Sequence, residues 1–167
     1  MSNKFKKILF LLFTFYFLLL TSSFAGFNDR VVAFVDDQAI TLSELKEQYK
    51  NTLKFSPDVT INDVLNTIIN RKLLLREAKK YRIEAPDEGE IIREYIDLKI
   101  KAFIRVSEVE MEEFYNQNID QFQGKSYENV REEIEDYFTE RELNEKLKDI
   151  LKELRTKAYV KIQLDNN

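Results

Sequence analysis

Clustered carboxylates are the side chains of this sequence whose type and spacing come closest to those of a catalytic site. They form two groups: Glu110, Glu112 and Glu113, and then Glu132, Glu133, Glu135 and Asp136. Paired acids work as general acid and base only when burial or crowding separates their pKa values. Because these acids stand among Lys and Arg on the polar faces of predicted helices, we interpret them as a solvated surface. No DxDxDG loop with a distal Glu accompanies them, so we also predict no metal site.

The residue types that the chain lacks exclude most other catalytic chemistry. It has no His and no Cys, so Ser-His and Cys-His pairs, zinc–thiolate sites and disulfides are excluded. Its three glycines, Gly26, Gly89 and Gly124, form no phosphate-binding loop. The acidic net charge of −4 disfavours nucleic acid as a partner. The sequence therefore predicts no catalytic residue and no cofactor.

Aromatic side chains are the remaining residues that can build a binding site. The chain has 13 Phe and 8 Tyr, and several of them fall in the later helices. The alternative for each is an ordinary place in the core. An exposed apolar patch rimmed by charge suits the binding of unfolded chain, because apolar burial is non-directional. The candidate peptide-binding residues are Tyr95, Phe103, Met111, Phe114, Tyr115, Phe122, Tyr137 and Phe138.

The first 25 residues have the three-part layout of a secretory signal peptide. Three lysines precede an apolar run over residues 8–20, and small residues follow at Ser23 and Ala25. This layout predicts cleavage after Ala25. An uncleaved anchor is the alternative, but the run is shorter than the ~18–20 residues that span a bilayer. Cleavage removes the three lysines and no acid, so the net charge changes from −4 to −7. No later segment is apolar enough to cross a membrane.

Short strands are predicted at both ends of the mature chain, which would run over residues 26–167 as a single domain. Residues 31–35 are β-branched and aromatic, and a turn at Asp36-Asp37 leads to a second short strand over 38–40. Residues 159–164 alternate between polar and apolar types, as in a strand, and the alternative is a frayed C-terminus. Since a lone hairpin is marginal in water, we expect the two ends to pair into one small sheet.

Helices are predicted for everything between these strands, so the fold class is mostly α with a small β-sheet. Their capping residues are Thr41, Thr60, Asp87, Ser107 and Ser126, with capping boxes at Thr41–Glu44 and Ser107–Glu110. The second helix has the widest apolar face and is expected to be the most buried. The last helix has no apolar residue over 139–142, so it either bends there or leaves the body of the protein.

Three stretches resemble, in their order and spacing, the SurA family of exported chaperones, which is related to the trigger-factor peptide-binding fold. Residues 31–45 (VVAFVDDQAITLSEL) are similar to the opening of that family, and residues 64–80 (VLNTIINRKLLLREAKK) to its long helix. Residues 127–162 look like its closing helix and strand. Residues 106–118 resemble the segment that precedes a parvulin isomerase domain in longer relatives. The resemblance covers nearly all of residues 29–164.

The resemblance implies a periplasmic chaperone that holds unfolded or nascent exported polypeptides, outer-membrane proteins above all, without ATP. A lipid anchor of the bacterial kind needs a Cys at the cleavage site, and the sequence has none, so we expect no such anchor. The resemblance does not imply isomerase activity. Only residues 119–126 stand where longer relatives carry the parvulin domain, and the histidines of a parvulin site are missing. Two alternatives remain: a residual prolyl isomerase, and an envelope adaptor whose exposed face fits one partner or a second copy as a homodimer.

Overall fold

The computed structural model describes residues 29–164, so the predicted signal peptide and its cleavage site lie outside the described residues. The elements follow in this order: β1 (Val31–Val35), β2 (Gln38–Thr41), α1 (Leu42–Thr52), α2 (Ile61–Lys80), α3 (Glu88–Lys99), α4 (Glu108–Gln117), α5 (Tyr127–Lys157) and β3 (Val160–Ile162). Short 3₁₀ turns lie at Lys101–Phe103 and Ile119–Phe122. The mostly helical fold is confirmed. Among residues 29–164, no helix has both the length and the apolarity needed to cross a bilayer.

The sheet joins the two ends of the described chain, as the sequence predicts. Its order is β2-β1-β3, and both pairings are antiparallel. Ala33 pairs with Ile162 and Val35 with Val160, so the C-terminal strand is ordered into the ladder rather than frayed. The buried face of the sheet meets α1 and α2, and this places both chain ends on one side of the main core.

Asp36 links the sheet to α2 through hydrogen bonds. Its backbone adopts φ 53° in the turn between β1 and β2, a left-handed conformation that Asp tolerates better than most residues. The Asp36 N–H donates to the Tyr159 carbonyl at 2.7 Å, and the Tyr159 N–H donates to Asp36 Oδ1 at 2.9 Å. The Arg76 guanidinium donates to Asp36 Oδ2. The hydrogen bond from Tyr159 and the nearby Arg76 lower the pKa of the Asp36 carboxyl.

Three of the five predicted helix caps form through side chains. Thr41 Oγ1 accepts from the Glu44 N–H at 3.3 Å, Thr60 and Asp63 form a complete capping box, and Asp87 Oδ1 accepts from two backbone N–H groups. Glu44 does not complete the predicted box, because its carboxylate lies 3.7 Å from Lys72 Nζ instead. At Ser107 and Ser126 the helices begin as predicted but without a capping hydrogen bond from the serine, so the predicted box at Ser107–Glu110 is wrong.

The described chain has two apolar clusters, and α5 runs through both. The larger one joins the sheet, α1, α2, α3 and the second half of α5. The smaller one joins α4 to the first half of α5 through four buried side chains, Met111, Val130, Ile134 and Phe138. We call residues 107–140 the arm, and residues 29–106 with 141–164 the body. The apolar gap at 139–142 marks the boundary, where α5 continues as one helix and only its packing partners change.

Candidate functional site

Three aromatic rings of the arm pack around Phe114. Its ring centroid lies 5.2 Å from that of Tyr137 in a stacked arrangement. Phe138 and Phe122 meet the same ring edge-on, at 5.5 Å and 6.3 Å. These separations and angles are those that aromatic pairs favour, because a ring edge is positive and a ring face negative. The rings bring together α4, the following 3₁₀ turn and the first half of α5.

Two tyrosines extend this group of rings toward the start of α5. Tyr115 lies 5.4 Å from Phe122 and 5.6 Å from Tyr127, measured between ring centroids. Tyr115 Oη donates to the Lys125 carbonyl at 2.7 Å, and Tyr127 Oη donates to Glu108 Oε1 at 2.7 Å. Desolvation and the hydrogen bond to Glu108 raise the pKa of Tyr127 to about 12. The Tyr127 hydroxyl therefore joins α5 to α4, and the Tyr115 hydroxyl joins α4 to the connection just before α5.

An ion pair on the same side ties α4 to α5. Arg131 Nε and Nη2 donate to the two oxygens of Glu108 at 2.9 Å and 2.6 Å, and Arg131 Nη1 donates to Glu135 at 2.9 Å. The hydrogen bonds from Arg131 and Tyr127 lower the pKa of Glu108. A two-pronged contact of this kind holds a fixed orientation better than a single ion pair does.

A groove of 420 Å³ opens beside the rings. Its lining residues are Phe114, Asn118, Gln121, Phe122, Glu133, Ile134 and Tyr137. Tyr137 is 50% exposed at the rim, whereas Ile134 is buried beneath it. The groove therefore has an apolar base and wall, with amides and one carboxylate at its edge. That combination suits an extended peptide, whose apolar side chains enter the groove while its backbone reaches the polar rim.

The polar rim has unused hydrogen-bonding capacity. Asn118 Nδ2 donates to the Phe114 carbonyl at 2.8 Å, and Gln121 Nε2 donates to Asn118 Oδ1 at 3.0 Å. These bonds orient both amides. Within residues 29–164, the Gln121 amide oxygen accepts no hydrogen bond and Glu133 forms no ion pair. Both groups can therefore accept from a bound N–H.

The structure brings six of the eight predicted site residues together in the arm and leaves two in the body. Of the eight, Tyr95, Met111 and Phe138 are buried, Phe114, Tyr115 and Phe122 are half-buried, and Phe103 and Tyr137 are exposed. Met111 and Phe138 therefore form the support beneath the groove. Tyr95 lies in the main core beside Tyr81 at 5.6 Å, away from the arm. Phe103 is 70% exposed next to a second pocket, of 310 Å³, between α3 and α5.

Sequence reasoning missed four of the lining residues. Ile134 and Glu133 stand three and four positions before Tyr137, so helical spacing alone was a usable signal for both. Asn118 stands four positions after Phe114, at the end of the same helix, so the same signal applied to it. Gln121 had no such signal, because it lies in the 3₁₀ turn that leads to the left-handed backbone at Gln123 and Gly124.

No group of three or more acids among the described residues is arranged to hold a metal ion. Of the seven acids that the sequence groups in α4 and α5, six are exposed and Glu135 is half-buried. Residues 118–126 alone connect α4 to α5, and no parvulin domain lies between these helices.

The fold and the groove together define a mostly helical module, closed by a sheet from both ends of the described chain, with an aromatic groove on the arm. The chain belongs to the family of SurA-like N-terminal domains, whose family model matches residues 1–144. The match includes the whole arm and ends within α5, just past Leu143. No curated protein matches the chain.

Proposed function

We propose that this protein is a chaperone-type holder that binds unfolded segments of exported polypeptides in the arm groove, without ATP. The observation that carries the proposal is the stacked pair of Phe114 and Tyr137, which stays half-open to solvent over a buried apolar base. Membership in the SurA-like family supports the same class of function. Apolar burial needs no fixed partner sequence, so one groove serves many clients.

The size of the groove implies weak and sequence-tolerant binding. Its 420 Å³ accommodates a few side chains of a client at one time. Each fully buried apolar side chain contributes about 1.5–3 kcal/mol, and ordering an unfolded segment offsets part of that gain. We therefore expect dissociation constants weaker than about 1 μM for single segments. Weak, reversible contacts suit a holder that must release its clients.

The place of action that we propose is the periplasm, with outer-membrane proteins as clients. The support is the signal-peptide layout of residues 1–25 together with the family match.

We also propose that the protein is not an enzyme. The support here is the short connection between α4 and α5, where a parvulin domain would have to be inserted. A prolyl-isomerisation assay with a parvulin as the positive control tests this point, and a clear rate gain would contradict it.

The central experiment is suppression of aggregation of an unfolded outer-membrane protein by the chain over residues 26–167. We expect the wild type to suppress aggregation and Tyr137→Ala to lose most of that effect. Phe55→Ala is the matched control, since Phe55 is 86% exposed in the connection between α1 and α2, far from the ring group in sequence. Circular dichroism checks that both variants fold. Equal suppression by the two variants would argue against the groove, and no suppression by the wild type would defeat the proposal.

A further inference from the structure

The charge of the described chain is divided sharply between its two regions. The arm, residues 107–140, has eleven acidic and two basic residues, a net charge of −9. The body, residues 29–106 and 141–164, has 18 acidic and 21 basic residues, a net charge of +3. The negative charge is thus concentrated on the region that bears the aromatic groove.

Most acids of the arm have no ion-pair partner among the basic residues of the arm. Of its two basic residues, Arg131 is already shared between Glu108 and Glu135. Glu140 pairs with Lys101 of the body at 3.4 Å. The other eight acids of the arm form no ion pair among residues 29–164. One of the eight, Glu133, lines the groove itself, and Asp136 lies three residues on along the same exposed helix surface.

We infer that the arm groove selects client segments in which Lys or Arg accompanies aromatic or aliphatic residues; this inference rests on the proposed function. The apolar side chains would lie in the groove against Phe114, Ile134 and Tyr137. The cationic side chains would reach Glu133 and Asp136. Tyr137, which is 50% exposed, adds to this preference, because an aromatic ring attracts cations. The negative charge of the arm repels a segment rich in Asp or Glu.

The physical consequence is a preference that depends on ionic strength. Charges at a rim mainly accelerate encounter and discriminate between partners, while apolar burial holds the bound segment. The Debye length is ≈ 10 Å at 0.1 M salt, so added salt reduces the preference and leaves the apolar contribution in place. Binding of a neutral client should therefore change little with salt, whereas binding of a cationic client should weaken.

The test uses fluorescence anisotropy with three matched unfolded peptides that share their aromatic positions and differ only in carrying Lys, Gln or Glu between them. We expect affinity for the chain over residues 26–167 to fall in that order, by about threefold or more per step near 20 mM salt, and the steps to shrink near 300 mM. Tyr137→Ala should weaken all three peptides.

The charge variant is Glu133→Gln combined with Asp136→Asn. It should weaken the Lys peptide by about three- to tenfold and the Gln peptide by a clearly smaller factor, because an amide at position 133 still has an oxygen that can accept from a bound N–H. The matched control is Glu94→Gln with Asp97→Asn, which neutralises a Glu and an Asp at the same spacing on the exposed surface of α3 in the body. The control should bind all three peptides as the wild type does.

The outcomes separate this inference from the function on which it rests. If Lys and Gln peptides bind equally while Tyr137→Ala weakens both, the selectivity is refuted and the groove survives as the binding site. If the control double variant weakens the Lys peptide as much as the arm variant does, the effect is one of overall charge and the inference also fails. If no peptide binds, or Tyr137→Ala changes nothing, both proposals fall. If the arm variant alters sedimentation of the chain but no peptide affinity, the acids contact a second copy, and the inference is overturned.

Discussion

The body and the arm use the same side-chain types in opposite ways. In the described chain, nineteen buried apolar residues form the cluster of the body, and four form that of the arm. Within the body, Asp36 also links the sheet to α2 through its hydrogen bonds with Tyr159 and Arg76. In the arm, Phe114 and Tyr137 remain partly exposed and the charge is strongly negative. The comparison indicates that stability resides in the body, which allows the arm to keep apolar surface available.

The contact between the two regions explains how the arm stays oriented. Val106 packs against both apolar clusters, and Lys101 of the body lies 3.4 Å from Glu140 of the arm. The uninterrupted α5 supplies the main connection, because a continuous helix transmits its direction from one cluster to the other. The arm therefore does not need a large core of its own.

The largest expected effect tests where stability resides. Leu73 is fully buried in α2 at the centre of the body, so Leu73→Ala removes apolar contacts and leaves a cavity. We expect a loss of about 3–4 kcal/mol in the free energy of unfolding. Urea denaturation followed by circular dichroism measures it. A loss below about 1 kcal/mol would contradict the assignment of stability to the body.

The second prediction concerns independent opening of the arm. Ile134 is buried between α4 and α5, and Ile134→Ala should destabilise this contact by about 2 kcal/mol. We expect faster hydrogen exchange for the amides of α4, by about tenfold or more, while α2 keeps its protection. Native-state exchange measured residue by residue gives both values. Equal acceleration in α2 would mean that the two regions unfold as one unit.

The third prediction is the smallest and concerns the Asp36 contact. Its pKa is lowered in the folded protein, so this contribution to stability is present above the unfolded value of 3.8 and is lost as the pH falls through the lowered folded pKa. Asp36→Asn should cost about 1 kcal/mol at pH 7, a modest loss because both partners remain partly exposed.

Thermal or urea unfolding between pH 7 and pH 2 checks this behaviour. The stability difference between wild type and Asp36→Asn should shrink at the acid end, because the wild-type carboxyl is then protonated and neutral, as the amide of the variant is at every pH. A difference that stays constant over the whole range would show that the loss comes from geometry rather than from charge.

Local chemistry accounts for what could be predicted of the fold. Thr41, Thr60 and Asp87 cap helices where the sequence places them, since a cap depends on residues within one turn. The capping box at Ser107 was wrong although its residue types fit, and this shows the limit of that signal. The pairing of β1 with β3 was predictable for a different reason, because a lone hairpin needs a further strand to be stable.

The candidate site was predictable only in part. Phe103, Tyr95, Tyr137 and Phe138 all occur in or beside helices with similar apolar spacing, yet the structure exposes two of them and buries the other two. Periodicity identifies the apolar side of a helix but not which neighbour covers it. The groove also includes Gln121, which reaches it only through the left-handed turn at Gln123 and Gly124.

By itself, the sequence determined the element types, most helix starts, the joining of the chain ends and the absence of His and Cys chemistry. These follow from composition and from interactions between residues close together along the chain, or from the need to complete a hairpin. Only the tertiary structure decided that α5 packs in both apolar clusters, and which aromatic rings remain exposed beside Glu133. Exposure is set by packing between segments distant in sequence, and no local pattern contains that information.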